Sequence, residues 1–221
     1  MSEEKLDTQI RREQIAQAAL ELVASQGLKR LSMAAVARRV GLVPSGIYRH
    51  FHSKAEILHA VLDRIRQRLT ENVQAACHEH SDPLECLHDV LMRHIRFIRE
   101  GRAIPRIIFS DDFHGGHPEL KEKVLSIFGQ YSGQLADIVR RGQEQGTVRG
   151  DLDPATVAMM VFGIVLPAGI LWHLTEGGFD VTRHAARAWE MIRSAIVPVN
   201  PKGTVPFSLT RKSGQSPDGK Q

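Results

Sequence analysis

The 221-residue chain is 42% hydrophobic and 24% charged, which supports a sizeable core and excludes general disorder. Its two cysteines, Cys77 and Cys86, are too few for a disulfide framework and fit a reducing, cytoplasmic setting. Of 29 Lys/Arg and 25 Asp/Glu, residues 1–54 carry nine and five, leaving twenty of each for the rest, so the whole net charge of +4 lies on the first quarter. That is the footprint of a small polyanion-binding head on a neutral body.

Nearly every segment reads as helix, so the expected fold is all-α with about nine helices, three of them small and N-terminal. The opening MSEEKLDTQIRREQ is polar and lacks the apolar segment of a signal peptide. Ile15, Ala18, Ala19, Leu22 and Val23 recur at helical spacing, giving a helix from about Asp7 to Gln26 that stops at Gly27. Ser32 is a good N-cap for a second helix ending at Gly41. A short third helix spans about Pro44 to His50, with proline in the first turn where its missing N–H costs nothing. Ser53 followed by Glu56 makes a capping box for a long fourth helix reaching about Ala76.

Asp82-Pro83 opens a helix to about Gly101, and a short segment, Ala103 to Phe113, follows before the Gly115-Gly116 break. Pro118 starts a helix to about Gln145. Asp153-Pro154 starts another to about Glu176; its apolar run reads as a buried bundle helix rather than a membrane span, because Gly163, Pro167, Gly169 and His173 interrupt it. Pro167 predicts a kink or local opening in that helix. The last helix runs from about Thr182 to Val197, and the Pro/Gly/Ser/Lys-rich remainder reads as a flexible tail. This divides the chain into a head, 1–54, a helical body, 55–197, and a tail, 198–221.

The stretch GLVPSGIYRHFHSKAEIL carries the chemistry. Gly41-Leu42-Val43 joins two short helices, the spacing of a helix-turn-helix, whose second helix enters the DNA major groove N-terminal end first. Pro44, Ser45 and Gly46 are small enough for close approach. Ser45, Gly46 and Arg49 are candidates for base reading, and Ser32, Tyr48, His50 and Lys54 for phosphate positioning.

Residues 8–58, with IAQAALELVASQGLKRLSMAAVARRVGLVPSGIYRHFHSKAEIL, resemble the DNA-binding domain of the tetracycline-repressor (TetR) family. The matching positions are Gly27, Ser32, Gly41, Tyr48, Phe51 and Ser53-Lys54. GTVRGDLDPATVAMMVFG is similar to the start of that family's penultimate helix. Val43 departs from the pattern, standing where the family often has a Ser or Thr cap. The resemblance implies a homodimer on double-stranded palindromic operator DNA, usually as a repressor. It also implies a dimer interface from 154–176 and 182–197, and middle helices that enclose an effector pocket. Val157, Met160, Val161, Ile164, Leu171, Ala188, Met191, Ile192 and Ala195 are consistent with such an apolar seam.

His94, Phe97, Ile98, Phe109, Phe113, Phe128, Tyr131 and Trp172 lie on the middle segments and suit an apolar or amphipathic effector. Two His-containing groups raise metal sensing as an alternative: Asp111-Asp112-Phe113-His114-Gly115-Gly116-His117, and Cys77-His78-Glu79-His80 with Cys86-Leu87-His88. Neither has the spacing of a structural zinc site, so no metal or cofactor is assigned. Glycine-rich phosphate loops, nucleophile elbows and HExxH helices are missing from the sequence, which argues against an enzyme. A helical adaptor with a basic head is the remaining class.

Overall fold

The structure is a computed structural model, and it describes residues 3–100 and 118–199. The segment Ala103–Phe113, with Phe109 and Phe113, and the Asp111–His117 group lie outside the described residues. So does the tail from residue 200 onward. Eight α-helices are described: α1 Glu3–Gln26, α2 Met33–Arg39, α3 Pro44–Tyr48, α4 Lys54–Glu79, α5 Pro83–Glu100, α6 Pro118–Glu144, α7 Pro154–Leu174 and α8 Val181–Ile196. A 3-10 turn, Leu28–Arg30, joins α1 to α2. The described residues contain no strand.

The helix ends follow the local chemistry of the sequence. Ser32, Ser53, Asp153 and Asp180 each cap a helix by accepting a backbone N–H three residues on. Glu56 Oε2 accepts from the backbone N–H of His52 at 2.8 Å, so the capping box closes one residue before the cap. Gly27, Gly41, Gly146 and Gly177 sit at positive φ, and Gly41 ends α2 with the Leu42 N–H bonded to the Ala37 carbonyl at 2.9 Å. α1 begins four residues before the expected Asp7, and α7 ends at Leu174 rather than Glu176. Helix α7 is continuous through Pro167.

The helices share one continuous apolar core. In the head, α1 packs on α2 and on the first half of α4. In the body, α6 lies against α4, α5 and α7, and α8 lies against α5 and α7. Helix α4 therefore belongs to both parts. Its 26 residues span about 39 Å at 1.5 Å per residue, and its buried stripe of Ile57, Leu58, Val61, Leu62, Ile65, Leu69 and Val73 runs through both.

Gly142, in the last turn of α6, sits where a side chain would crowd its neighbours. A Cβ there would lie 2.6 Å from Val148 Cγ2 and 3.3 Å from Pro83 Cβ. Glycine-to-alanine in a helix ordinarily stabilises by about 1 kcal/mol, and less at a helix end. Overpacking against a β-branched side chain and a proline ring costs about 1–3 kcal/mol. The clash should win: Gly142→Ala is expected to lower the thermal midpoint by about 2–6 °C. A raised midpoint in a thermal melt would show that the α6 end relaxes freely.

Candidate nucleic-acid interface and effector core

The short helix α3 is held from below. Ile47 and Phe51 are fully buried, while Val43, Pro44, Ser45, Tyr48 and Arg49 are exposed. The guanidinium of Arg12, from α1, lies 4.1 Å from the centroid of the Phe51 ring and also donates to the His50 carbonyl. One cation thus ties α1 to the residues that end α3. Val43, the N-cap, makes no side-chain cap bond, as its side chain requires, and Pro44 at the first helical position leaves one fewer N–H to satisfy.

Of the DNA-binding candidates, Pro44, Ser45, Tyr48 and Arg49 emerge together on the outer face of α3. Ser32 and Ser53 stand at the N-termini of α2 and α4, both exposed. Gly46 is half-buried against Leu42, 3.6 Å from where its Cβ would be, so a methyl group fits there within the protein. Lys54 is half-buried at the start of α4. His50 is half-buried, and its Nδ1 has no hydrogen-bond partner among the described residues. Burial, and then the charges of Arg12, Arg11 and Arg49, hold its pKa below the usual histidine value. A neutral His50 contributes a dipole rather than a charge.

The body holds a buried polar pair. His94 of α5 and Tyr131 of α6 are almost fully buried, with Nδ1 and Oη 2.9 Å apart. Ring centroids of Phe97, Tyr131 and Phe162 lie 5.2–6.5 Å from the His94 ring, and the Phe128 ring meets Phe162 at a tilt, 5.4 Å between centroids. The structure therefore brings His94, Phe97, Phe128 and Tyr131 together. Ile98, also buried, packs toward Gly169. Trp172 lies instead over the turn at Gly177, with its indole N–H unpaired among the described residues. Phe162 was missed by sequence reading because it lies on α7, whose apolar run gives no amphipathic face. A cleft of about 330 Å³ opens where α1, α4 and α5 meet, lined by Leu20, Glu21, Arg64, Arg68, Glu71 and Phe97 among others. Among the described candidates, Phe97 is the one that reaches both cleft and cluster.

One metal-like group stands in the described body: Glu79, His80 and Asp89 have ligand atoms within 4.8 Å of one another. Arg93 already occupies it, 2.6 Å from Glu79 and 2.8 Å from Asp89. A divalent ion there would have to displace a bound cation.

Two family models match the chain: bacterial regulatory proteins of the tetR family over residues 15–61, and the YsiA-like C-terminal region, a TetR-family domain, over 62–195. The chain belongs to the TetR family of transcriptional regulators. It is 25% identical over 181 residues to the nucleoid occlusion factor SlmA of Marinomonas sp., covering 82% of this chain and 89% of that one. Among solved structures it is similar to FadR from Bacillus subtilis in complex with stearoyl-CoA. That match has 22% identity and a TM-score of 0.71, covering 83% of this chain and 98% of that one. It is also similar to SmeT, the repressor of the Stenotrophomonas maltophilia multidrug efflux pump SmeDEF. Here the identity is 23% and the TM-score 0.67, covering 92% and 99%. TetR-family regulators bind operator DNA as dimers and respond to small-molecule effectors, and this chain is a DNA-binding transcriptional regulator of that family.

The buried pair also makes stability depend on pH. Burial pushes His94 down to about 4 from 6.5. Above the unfolded value both states are neutral at this residue and its contribution is complete. As pH falls from 6.5 toward 4, the unfolded chain takes a proton that the folded one refuses, and stability is lost. The loss from this residue amounts to about 3 kcal/mol across that window. His94→Gln can keep a hydrogen bond to Tyr131 without titrating. Its melting midpoint should fall less between pH 6.5 and 4 than that of the parent; equal falls would assign the dependence elsewhere.

Proposed function

We propose that the protein is a homodimeric repressor that leaves a palindromic operator when an apolar or amphipathic molecule binds its helical body. The observation that carries the DNA half is α3: Ser45, Tyr48 and Arg49 are exposed above the buried Ile47 and Phe51. In the proposed division, residues 1–54 read DNA and 55–197 sense and dimerise. Pro44, Ser45 and Gly46 let the α3 backbone approach the groove, Arg49 pairs with a base edge, and Ser32, Tyr48, His50 and Lys54 meet phosphates.

The dimer reading rests on an exposed apolar face. Helix α7 is long and apolar enough to cross a membrane by length and composition. Its inward side, including Val157, Val161, Ile164 and Val165, is buried within the protomer. Its outward side is exposed at Met159 (55%), Met160 (47%), Leu166 (42%), Leu171 (40%) and Leu174 (71%), and Met191 of α8 is 74% exposed. This corrects the seam expected from sequence: Val157, Val161, Ile164 and Ile192 are core, while Met160, Leu171, Met191 and Ala195 face outward. An apolar face of this kind marks an interface. A two-fold pairing of α7 and α8 would cover it in a soluble regulator.

The effector reading rests on the aromatic cluster around His94 and Tyr131. It offers apolar rings and one polar pair, which suits a molecule with an apolar body. The B. subtilis FadR structure, with its bound stearoyl-CoA, supports an amphipathic ligand for this architecture. The effector must favour a head spacing that misses recognition sites about 34 Å apart, since equal affinity for both spacings would shift nothing.

Two experiments test the reading. In operator titrations at several salt concentrations, Lys54→Ala should weaken cognate and scrambled DNA alike. It should also flatten the log–log salt slope by about 0.9 per half-site. Arg49→Ala should cost about 1–3 kcal/mol per half-site on the cognate sequence and relax the preference at one base position. Equal loss on every sequence would leave base reading to Ser45 and Gly46. For the dimer, Leu166→Glu puts a carboxylate on the exposed α7 face. Light scattering should then report monomers with unchanged helical circular dichroism and operator affinity reduced more than ~10-fold. A Leu166→Glu dimer with parental affinity would place the interface elsewhere.

A further inference from the structure

The two cysteines come together where the head-to-body helix ends. Cys77 is in the last turns of α4 and Cys86 in the first turn of α5, and the tight α4–α5 connection brings their Sγ atoms to 2.9 Å. Both are free thiols. Cys77 is half-buried and Cys86 completely buried. A third group converges on them: Arg141 of α6, exposed on its outer side, has Nη2 3.1 Å from Cys77 Sγ and 3.9 Å from Cys86 Sγ. These are the chain's only cysteines, and nothing in the DNA-reading or effector chemistry uses them.

The three side chains have different parts. A peroxide is attacked by a sulfur that solvent can reach, and the Arg141 guanidinium stands beside Cys77 Sγ as a hydrogen-bond donor. Cys77 has the closer contact with Arg141 and the solvent access. Cys86 is shielded, and its burial followed by the Cys77 hydrogen bond pushes its pKa up to about 12, which suits a second, resolving thiol and not the first attacker. The sulfurs, 2.9 Å apart, are already inside van der Waals contact, so a bond between them needs an approach of less than about 1 Å.

We propose that Cys77 and Cys86 form a peroxide-reactive dithiol that closes reversibly into an intramolecular disulfide joining α4 to α5, with Arg141 positioning Cys77 for attack. The oxidant is hydrogen peroxide or an organic hydroperoxide. Cys77 thiolate attacks the terminal peroxide oxygen, the O–O bond breaks, and the alkoxide or hydroxide leaves with a proton as alcohol or water. Cys77 is now a sulfenic acid. The Cys86 sulfur attacks the Cys77 sulfur, the S–O bond breaks, the Cys86 proton goes with the leaving hydroxide, and water departs. The thiol pair is oxidised by two electrons and the peroxide reduced by two. An external thiol reverses the bond by exchange.

The full-length protein, prereduced and freed of reductant, is treated with a small excess of hydrogen peroxide at neutral pH. Both thiols should disappear together, and the tryptic peptide Leu69–Arg93, which carries both cysteines, should lose about 2 Da and regain it with dithiothreitol. Cys86→Ser should accumulate a Cys77 sulfenic acid that dimedone traps. Cys77→Ser should leave Cys86 unmodified over the same time. Arg141→Ala should slow peroxide consumption about tenfold while thermal melting confirms its fold. The oxidised parent should melt about 5–10 °C higher than the reduced form, as expected for a loop this short. Overoxidation of Cys77 without disulfide, chains cross-linked to each other on a non-reducing gel, or thiols that persist under peroxide would each overturn the proposal. An Arg141→Ala protein that is folded and oxidises at the parental rate would remove Arg141 from it.

Discussion

A helix of five residues has no stability of its own, and α3, the surface proposed to meet DNA, is one. Its orientation is therefore imposed by what it is attached to. Ile47 and Phe51 are sunk in the core, and Arg12 covers the Phe51 ring while bonding the His50 carbonyl. The exposed residues of α3 are aimed by this seat. A cation over an aromatic face contributes about 0.5–2 kcal/mol, and a buried phenylalanine contributes about 2–3 by area. Apolar burial thus dominates the seat, and Arg12 sets direction more than strength. Helix α3 packs on α2, and Phe51 is joined to the start of α4 at Lys54 by a short connection, so the reading surface and the long helix are close neighbours along the chain.

In the proposed reading, α4 is the element that links the body to the head. Helix α4 starts at the Ser53 cap and ends at Glu79, packing on α1 at one end and on α5 and α6 along its length. Most of its buried positions are aliphatic, and none forms a break or bulge. A close-packed rigid element transmits displacement at one end as displacement at the other. Polar contacts steady the same span: Lys123 of α6 reaches Asp63 at 2.6 Å, and Arg64 donates to Gln17 of α1 at 2.6 Å. Both anchors lie in the first half of α4, where a partly exposed ion pair and a side-chain hydrogen bond contribute little energy but restrict alternative registers.

What the sequence revealed and what it hid divide along physical lines. Helix ends were legible because caps and left-handed glycines act locally: Ser32, Ser53, Asp153, Gly41 and Gly146 each satisfy or terminate a backbone within a few residues. The head was legible because Gly41, Tyr48, Phe51 and Ser53-Lys54 stand at fixed spacing. Which side of α7 faces inward was not. An apolar helix without a polar stripe carries no directional signal, so Val157 and Val161 looked as fit for an interface as Met160 and Leu171. The meeting of His94 with Tyr131 and Phe162, drawn from three helices, was also beyond periodicity, because tertiary proximity of buried rings leaves no mark along the chain. The nearness of Cys77 and Cys86 was half visible: nine positions apart across a predicted joint, they were noted as a group, but only the α4–α5 angle brings the sulfurs together.

If the proposed effector lies at the His94–Tyr131 pair, the pair limits what kind of molecule it can be. Burial holds His94 below and Tyr131 above their ordinary values, so both are neutral across the physiological range. A charged ligand group brought against them would find no counter-charge and would bear its full desolvation cost, several kcal/mol for a carboxylate or ammonium. An apolar ligand would instead have to part rings that already contact one another at 5.2–6.2 Å between centroids. Parting them loses packing, and that loss must be recovered by apolar area newly buried, at about 25 cal/mol per Å². A long, flexible chain recovers more than a compact ring of the same polarity, because it can thread between helices without separating all of the contacts at once. The charged end of an amphipathic molecule has a better place at the α1–α4–α5 cleft, where Arg64 and Arg68 stand beside Glu21 and Glu71 and where Phe97 links cleft to cluster. A ligand lying across both would touch α1, α4 and α5 together, and α1 packs on α2, the helix against which α3 lies, while its Arg12 covers the Phe51 ring at the end of α3.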